Sequence, residues 1–293
     1  NNQVILHCKN GKIIITILTE KIINVKTQLD GKNSLPSFAV NNDFEKKIDF
    51  NIIENDFLIK IKTDEIIVEV VKDPCRIIFK NSEGEIINSD GKSGIFYNSE
   101  FVRCDKVLDQ EEYFYGFGDK TGPLQKKGLK MYMWNTDFPY LDVDSDPLYK
   151  SVPFFISLKN SKSYGIFLDC PSWSIFDMGN TNRENYSFGC YSLNLDYYFI
   201  YGPDIKDVIN RYTYLTGRIE LPPLWSLGYQ QCRWSYDSEE KVKEIANNFR
   251  SKKIPCDVLY LDIDYMDSFK VFTYDKKKFP DLNKLCQYLS QKG

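Results

Sequence analysis

The chain has 293 residues, with 38 basic and 41 acidic side chains for a net charge of −3 at pH 7, and a hydrophobic share of 42%. That is globular composition, with apolar material for one large domain or two of ordinary size. The slight acidity argues against a nucleic-acid backbone or an anionic membrane as partner, and no apolar run reaches the roughly 18 residues of a membrane span.

Aromatics make up 15% of the chain, with 20 Tyr and 20 Phe. Such a share suits large β-sheets and sugar-stacking surfaces alike. The one histidine, His7, sits in an opening apolar stretch and reads as a strand residue. Histidine-based catalysis and His metal sites are set aside on that ground, and no metal or cofactor is expected. The eight cysteines are scattered without a CxxC pair. Several lie in apolar runs and read as small buried hydrophobes, which favours a reducing, cytoplasmic setting. The chain opens Asn-Asn-Gln with no methionine or leader, so the native start is expected to be missing or processed.

Residues 1 to about 110 read as a β-meander. Val4–Leu6, the turn Asn10-Gly11 and Ile13–Leu18 form a strand, turn and strand; Phe57–Lys62, Glu65–Val71 and Arg76–Phe79 continue the rhythm. Turns at Asp73-Pro74 and Ser82–Gly84 separate them, as in a sandwich. Residues 111–150 break the rhythm and read as a long aromatic and acidic loop, of the kind that carries function. It includes Tyr115-Gly-Phe-Gly-Asp119, Met131–Phe138 and the acids Asp142, Asp144 and Asp146, which are expected to be solvated. The Gly-Phe-Gly lacks a following helix and a GK[ST], so it is not a phosphate loop. Strands return from Pro153 to Ile200, and Asp204–Leu215 reads as an amphipathic helix with Ile205, Val208, Ile209 and Tyr212 on one face.

The double proline Pro222-Pro223 punctuates the chain, giving expected domains 1–221 and 222–293. Beyond it the grammar becomes β-α-β-α. Trp225–Gln231 is a strand candidate, and a helix capped by Asp237 buries Val242, Ile245, Ala246 and Phe249. Val258–Leu261 is a second strand, of the apolar type covered on both faces in parallel sheets. A second helix carries Leu282, Leu285, Cys286 and Leu289, with Gly293 as its cap. Asp262, Asp264 and Asp267 follow the second strand. Spacing alone fits solvated caps as well as the substrate contacts that α/β barrels place at strand exits.

Two β-α units cannot close a barrel of about 250 residues, so the fold is expected to be completed by another chain or by more of the same one. Here the motifs acquire a parent. Leu224-Trp-Ser-Leu-Gly-Tyr-Gln-Gln-Cys-Arg-Trp-Ser-Tyr236, Pro255–Asp267, Phe272-Thr-Tyr-Asp275 and Phe279-Pro-Asp281 resemble the opening of the catalytic barrel of glycoside hydrolase family 31, most closely its α-glucosidases. Upstream, Tyr115–Asp119 and Asp146–Phe154 resemble the end of that family's N-terminal β-sandwich. The resemblance implies a β-sandwich followed by the first two β-α units of a (β/α)8 TIM barrel. It also implies a retaining exo-α-glucosidase that releases nonreducing-end glucose by double displacement, with an α-glucoside oligosaccharide as substrate.

By the same resemblance Asp262 holds the hydroxyls of the nonreducing-end sugar, and Ile263 lines that subsite. Trp234 and Arg233 form and support the pocket floor, and Asp137 contacts the next sugar. Both catalytic aspartates of the family lie on later strands in motifs that this sequence lacks, so no catalytic residue is assigned and the remainder of the barrel is an expected partner. Rival readings are an α-xylosidase or α-galactosidase of the same family, or a non-catalytic sugar-binding module. Homo-oligomerisation is left open.

Overall fold

The computed structural model describes residues 2–29, 37–40, 44, 47–192 and 194–293. They fall into two compact units, Asn1–Arg218 and Ile219–Gly293.

The first unit is built from sixteen strands: β1 (Gln3–Cys8), β2 (Gly11–Thr19), β3 (Ile22–Leu29), β4 (Asn51–Glu54), β5 (Leu58–Lys62), β6 (Ile66–Lys72), β7 (Cys75–Asn81), β8 (Ile86–Tyr97), β9 (Val102–Val107), β10 (Glu112–Gly118), β11 (Lys130–Met133), β12 (Ser151–Lys159), β13 (Lys162–Leu168), β14 (Ser174–Asp177), β15 (Asn185–Cys190) and β16 (Asp196–Tyr201). A seven-stranded sheet has the order β1-β2-β3-β16-β13-β12-β10, and a nine-stranded sheet the order β11-β14-β15-β9-β8-β7-β6-β5-β4. All pairings in both are antiparallel.

Period-two alternation explains the sandwich. On β2, Ile13, Ile15 and Ile17 are buried between more exposed neighbours. On β9, Val102, Cys104 and Lys106 point inward while Arg103 and Val107 face out. Rings interlock across the two sheets. Phe79 of β7 stacks on Phe199 of β16 with centroids 4.0 Å apart, and Phe114 of β10 meets Tyr186 of β15 at 5.0 Å. Burying rings of this size contributes about 1.5–3 kcal/mol each.

Two hydrogen-bonded polar clusters cross this core, one around Lys106 and Asp90 and one around Glu112 and Asn88. Lys106, fully buried, donates to Asp90 at 2.6 Å and to the Tyr197 hydroxyl at 3.3 Å. The Asp90 carboxylate also accepts the Ile77 backbone N–H at 2.7 Å. Glu112 accepts from Ser157 (2.6 Å) and Tyr164 (2.5 Å), and Asn88 donates to Tyr186 at 2.7 Å.

Three expectations for this unit need correction. The Tyr115-Gly-Phe-Gly run belongs to strand β10 and is not loop. It pairs with β12 through a register shift between Gly116 and Gly118. Both glycines have positive φ, and a Cβ on either would approach β12 backbone oxygens within 2.8 Å. The bulge turns Phe117 into the core, 1% exposed. Next, Lys130–Met133 of the expected loop is strand β11, paired antiparallel with β14. Finally, the helix α1 (Ile205–Thr216), capped by Asp204, buries Val208 and Leu215, while Ile205 and Ile209 are exposed. Its buried stripe runs one turn further along than expected, because Tyr212 stacks on Phe154 at 3.8 Å and turns the helix about that contact.

The second unit is a β-α-β-α segment. β17 (Gln230–Cys232) and β18 (Val258–Tyr260) pair in parallel. α2 (Glu239–Ser251) follows β17, and α3 (Leu282–Ser290) follows β18. Tyr236, Val242, Phe279 and Leu285 form its core, against Leu259 and Leu261. The expected strand start at Trp225 is instead a 3-10 turn over Leu224–Leu227, where Ser226 bonds the Pro223 carbonyl through both its N–H (3.0 Å) and its hydroxyl (2.7 Å). The cap of α2 is Ser238, whose hydroxyl accepts the Lys241 N–H at 3.2 Å, and not Asp237. α3 ends at Gln291, two residues before Gly293. Among the described residues no helix is long and apolar enough to cross a membrane.

Candidate functional site

The carboxyl ends of the two parallel strands carry four of the five candidate residues. The register is Gln230 opposite Val258, Gln231 opposite Leu259 and Cys232 opposite Tyr260. Trp234 and Asp262 therefore each stand two residues beyond the last rung, with Arg233 and Ile263 beside them. Strand entry is fixed from below. The Tyr229 carbonyl accepts the Asp257 N–H at 2.9 Å, and a Cβ on Gly228 would crowd the Asp257 carboxylate, 1.8 Å from one of its oxygens.

Asp262 is half-buried, and its backbone is left-handed at φ 61°. Asp tolerates this conformation better than most side chains. Its carboxylate has no hydrogen-bond or ion-pair partner among the described residues. Trp234 is 76% exposed and Ile263 43% exposed, and Arg233 is also exposed. These are apolar and charged surfaces presented without a partner in the unit itself.

Three acids further along the chain have local work. Asp267 accepts from the Ser268 hydroxyl at 3.0 Å. Asp275 accepts the Lys277 N–H at 2.8 Å, and Asp281 caps α3 through the Lys284 N–H at 3.1 Å. That cap holds the Asp281 carboxyl below its ordinary value. Phe279 is fully buried. Much of the Phe272–Asp281 motif thus builds the unit, while Asp262 has no such local role. Asp264 is half-buried and likewise has no partner among the described residues.

The fifth candidate, Asp137, lies in the first unit on the segment 134–150 that joins β11 to β12. The base of the segment is held. Thr136 donates to the Leu148 carbonyl at 3.0 Å, and the Asn135 side chain accepts the Ser151 N–H at 2.8 Å. Trp134 leans on Trp173 at 5.6 Å. Asp142 and Asp144 are exposed as expected, but Asp146 is structural: it accepts the Tyr132 N–H at 2.7 Å and pairs with Lys120, which is almost fully buried. Sequence reading missed this Lys120–Asp146 clamp, whose partners stand 26 residues apart. With its base fixed, the segment exposes Asp137, Phe138 and Tyr140. No group of three or more His, Cys, Asp or Glu among the described residues is arranged to hold a metal ion.

The fold class is thus an antiparallel β-sandwich followed by β-α units of a parallel sheet. Residues 12–177 match the glycosyl hydrolase 31 N-terminal galactose mutarotase-like domain, and residues 219–293 match the glycosyl hydrolases family 31 TIM-barrel domain. The chain belongs to glycoside hydrolase family 31. It is 39% identical to alpha-glucosidase 2 of Bacillus thermoamyloliquefaciens over 98% of its own length and 37% of that protein's. It is 31% identical to the alpha-xylosidase XylQ of Lactiplantibacillus pentosus, over 96% and 37% respectively. A solved structure of the Flavobacterium johnsoniae family 31 dextranase in complex with isomaltotriose superposes on the whole chain with a TM-score of 0.91 at 34% identity, covering 36% of the dextranase. The chain thus spans little more than a third of these relatives. The architecture is a β-sandwich joined to the first two β-α units of the family's barrel.

Proposed function

We propose that this chain is the sandwich and barrel opening of a retaining exo-α-glucosidase acting on the nonreducing ends of α-glucoside oligosaccharides. A retaining mechanism needs two carboxyls about 5–5.5 Å apart, one as nucleophile and one as acid/base. We place both on barrel strands outside these 293 residues, so this chain alone is expected to be inactive. Its own contribution is to grip and orient substrate. Asp262 accepts hydroxyl hydrogen bonds from the terminal sugar, and such charge-assisted bonds are the stronger kind. Trp234 and Ile263 offer apolar surface to the C–H face of a sugar ring, Arg233 braces the strand exit, and Asp137 is a further sugar contact.

The observation that supports this reading best is the Asp262 carboxylate, left unpaired, like that of Asp264, and set in a left-handed backbone at the exit of β18, when Asp267, Asp275 and Asp281 further along are engaged locally. The α-glucosidase relative at 39% identity favours glucose. The xylosidase relative, at 31% over a similar span, supports α-xyloside as the second reading. The test is a panel of nitrophenyl α-glycosides given to this chain completed by the remaining barrel strands. Release from the α-glucoside above all others is expected. Faster release from the α-xyloside selects the second reading, and no release from any α-glycoside refutes the assignment.

A further inference from the structure

The nine-stranded sheet has an outer face, turned away from the core, that the candidate site does not use. Such faces are ordinarily just solvated. Two features set part of this one apart. First, it is walled. Thr181 and Asn182 of the β14–β15 connection, Lys92 and Ser93 of β8, and Phe101 before β9 help to enclose a groove of about 430 Å³ above the strands. That is the size of a small-ligand site.

Second, the floor of the groove is sorted into two rows by strand register, since residues opposite one another on paired strands share a face. One row runs Lys130–Asp177–Ser187–Asp105 across β11, β14, β15 and β9. The next lies two residues along each strand, about 7 Å away, and runs Tyr132–Ile175–Gly189–Arg103, with Phe96 of β8 beyond. The first row is polar at every rung. The second is flat at its centre because Gly189 has no side chain, and a Cβ there would lie 2.4 Å from the Val102 carbonyl oxygen. Arg103 links the rows: its guanidinium lies over the Phe96 ring at 5.4 Å, and its Nε pairs with Asp105 at 3.1 Å.

We propose that this groove is a carbohydrate site in its own right, taking a neutral oligosaccharide. A sugar ring has a rim of hydroxyls and an apolar C–H face, and the two rows match that division. The polar row takes the rim. A carboxylate has about four lone-pair sites, so Asp105 keeps free sites beyond its pair with Arg103. Asp177 does so beyond the Thr181 hydroxyl and the Asn180 N–H, which it accepts at 2.8 Å. The Ser187 hydroxyl has no partner among the described residues. Ile175, the open floor at Gly189 and the Phe101 ring receive the C–H face. Charge disfavours the main rival, an anion: Asp105 and Asp177 answer Lys92, Arg103 and Lys130, and an anion along the polar row meets both carboxylates. The groove lies wholly within the first unit, whereas Asp262 lies in the second. Its chemistry does not depend on which α-glycoside the completed barrel cleaves.

The test is isothermal titration calorimetry of the whole chain carrying Asp262→Ala, so that a contribution from the strand exits is removed. Maltotetraose and isomaltotriose are the probes, with inorganic phosphate as the rival ligand. Saturable binding of at least one sugar is expected. Arg103→Ala and Ser187→Trp, each added to that background, should weaken it about tenfold or more at unchanged circular dichroism, the loss of a charged hydrogen-bonding group in one case and a filled groove in the other. Both side chains face away from the core, so two independent variants report on the groove. No binding of either sugar, binding untouched by both substitutions, or tighter binding of phosphate than of sugar would each overturn the proposal. None of these outcomes bears on α-glycoside turnover, which is measured separately.

Discussion

Replacing Lys106 by Met removes the cation of a fully enclosed ion pair and leaves Asp90 buried without it. Lys106 is 0% exposed and Asp90 5%, and the ammonium also lies over the rings of Phe79 (5.3 Å) and Tyr197 (5.1 Å). Breaking a buried pair by removing one partner costs about 3–5 kcal/mol, while replacing both partners by uncharged groups is often close to neutral. For a unit of this size each kcal/mol lowers the melting temperature by about 2–4 °C, so Lys106→Met should melt roughly 6–20 °C below wild type. The double variant Asp90→Asn/Lys106→Met should recover most of that loss. Differential scanning calorimetry of the three proteins is the assay. The reasoning fails if the single variant melts within a degree or two of wild type, or if the double variant is no better than the single. A pH series adds a signed check. Burial alone would lower the Lys106 value, but Asp90 overrides it and raises the amine well above its ordinary 10.5. A raised folded-state value gives stability that is present below about pH 10.5 and lost as pH climbs toward the folded value. The alkaline loss should therefore be shallower in Lys106→Met than in wild type.

Three further outcomes follow from particular contacts. Leu215→Ala, at a fully buried position of α1, should cost about 2–5 kcal/mol in urea melts, whereas Ile209→Ala on the exposed side of the same helix should stay within about 0.5 kcal/mol. Ser238→Ala should cost about 1 kcal/mol by the same measurement, and Asp237→Ala much less, because only Ser238 bonds the first turn of α2. Glu69 is opposed by burial, but Lys80 and Lys60 hold its carboxyl below the ordinary 4.5. Its stabilising contribution is present above that value and disappears as pH falls through the lower folded one, so Glu69→Gln should flatten the acid limb of the melting-temperature curve.

Most of the architecture was legible because it rests on period. Alternation in Ile13–Leu18 produces a strand buried as the pattern requires, while Phe57–Lys62 and the apolar run before Asp262 also give strands but bury only Ile61 between them. The failures share a cause: tertiary contacts overrode local composition. β10 reads as loop because two glycines interrupt it, yet those glycines are what permit the bulge against β12. Ile209 looks like core, but the stacking of Tyr212 on Phe154 rotates α1 and leaves it outside. Asp146 looks like one of three equivalent loop acids until Lys120 is brought to it from 26 residues away. The candidate site divides in the same way. Asp262, Trp234 and Asp137 were reachable only through motif resemblance, since an unpaired carboxylate at a strand exit has no signature in composition or spacing. The structure adds what the motif alone lacked, which is that Asp267, Asp275 and Asp281 are engaged locally while Asp262 and Asp264 are not.

The claim on which the rest turns is that Asp262 holds the substrate sugar. Completed by the remaining barrel strands of the family, wild type and Asp262→Ala should be compared for α-glucoside turnover, with circular dichroism as the check on folding. Loss of a hydrogen-bonding charged group predicts a fall in kcat/KM of about 10- to 150-fold or more at unchanged dichroism. Wild-type turnover by a folded Asp262→Ala enzyme would contradict it.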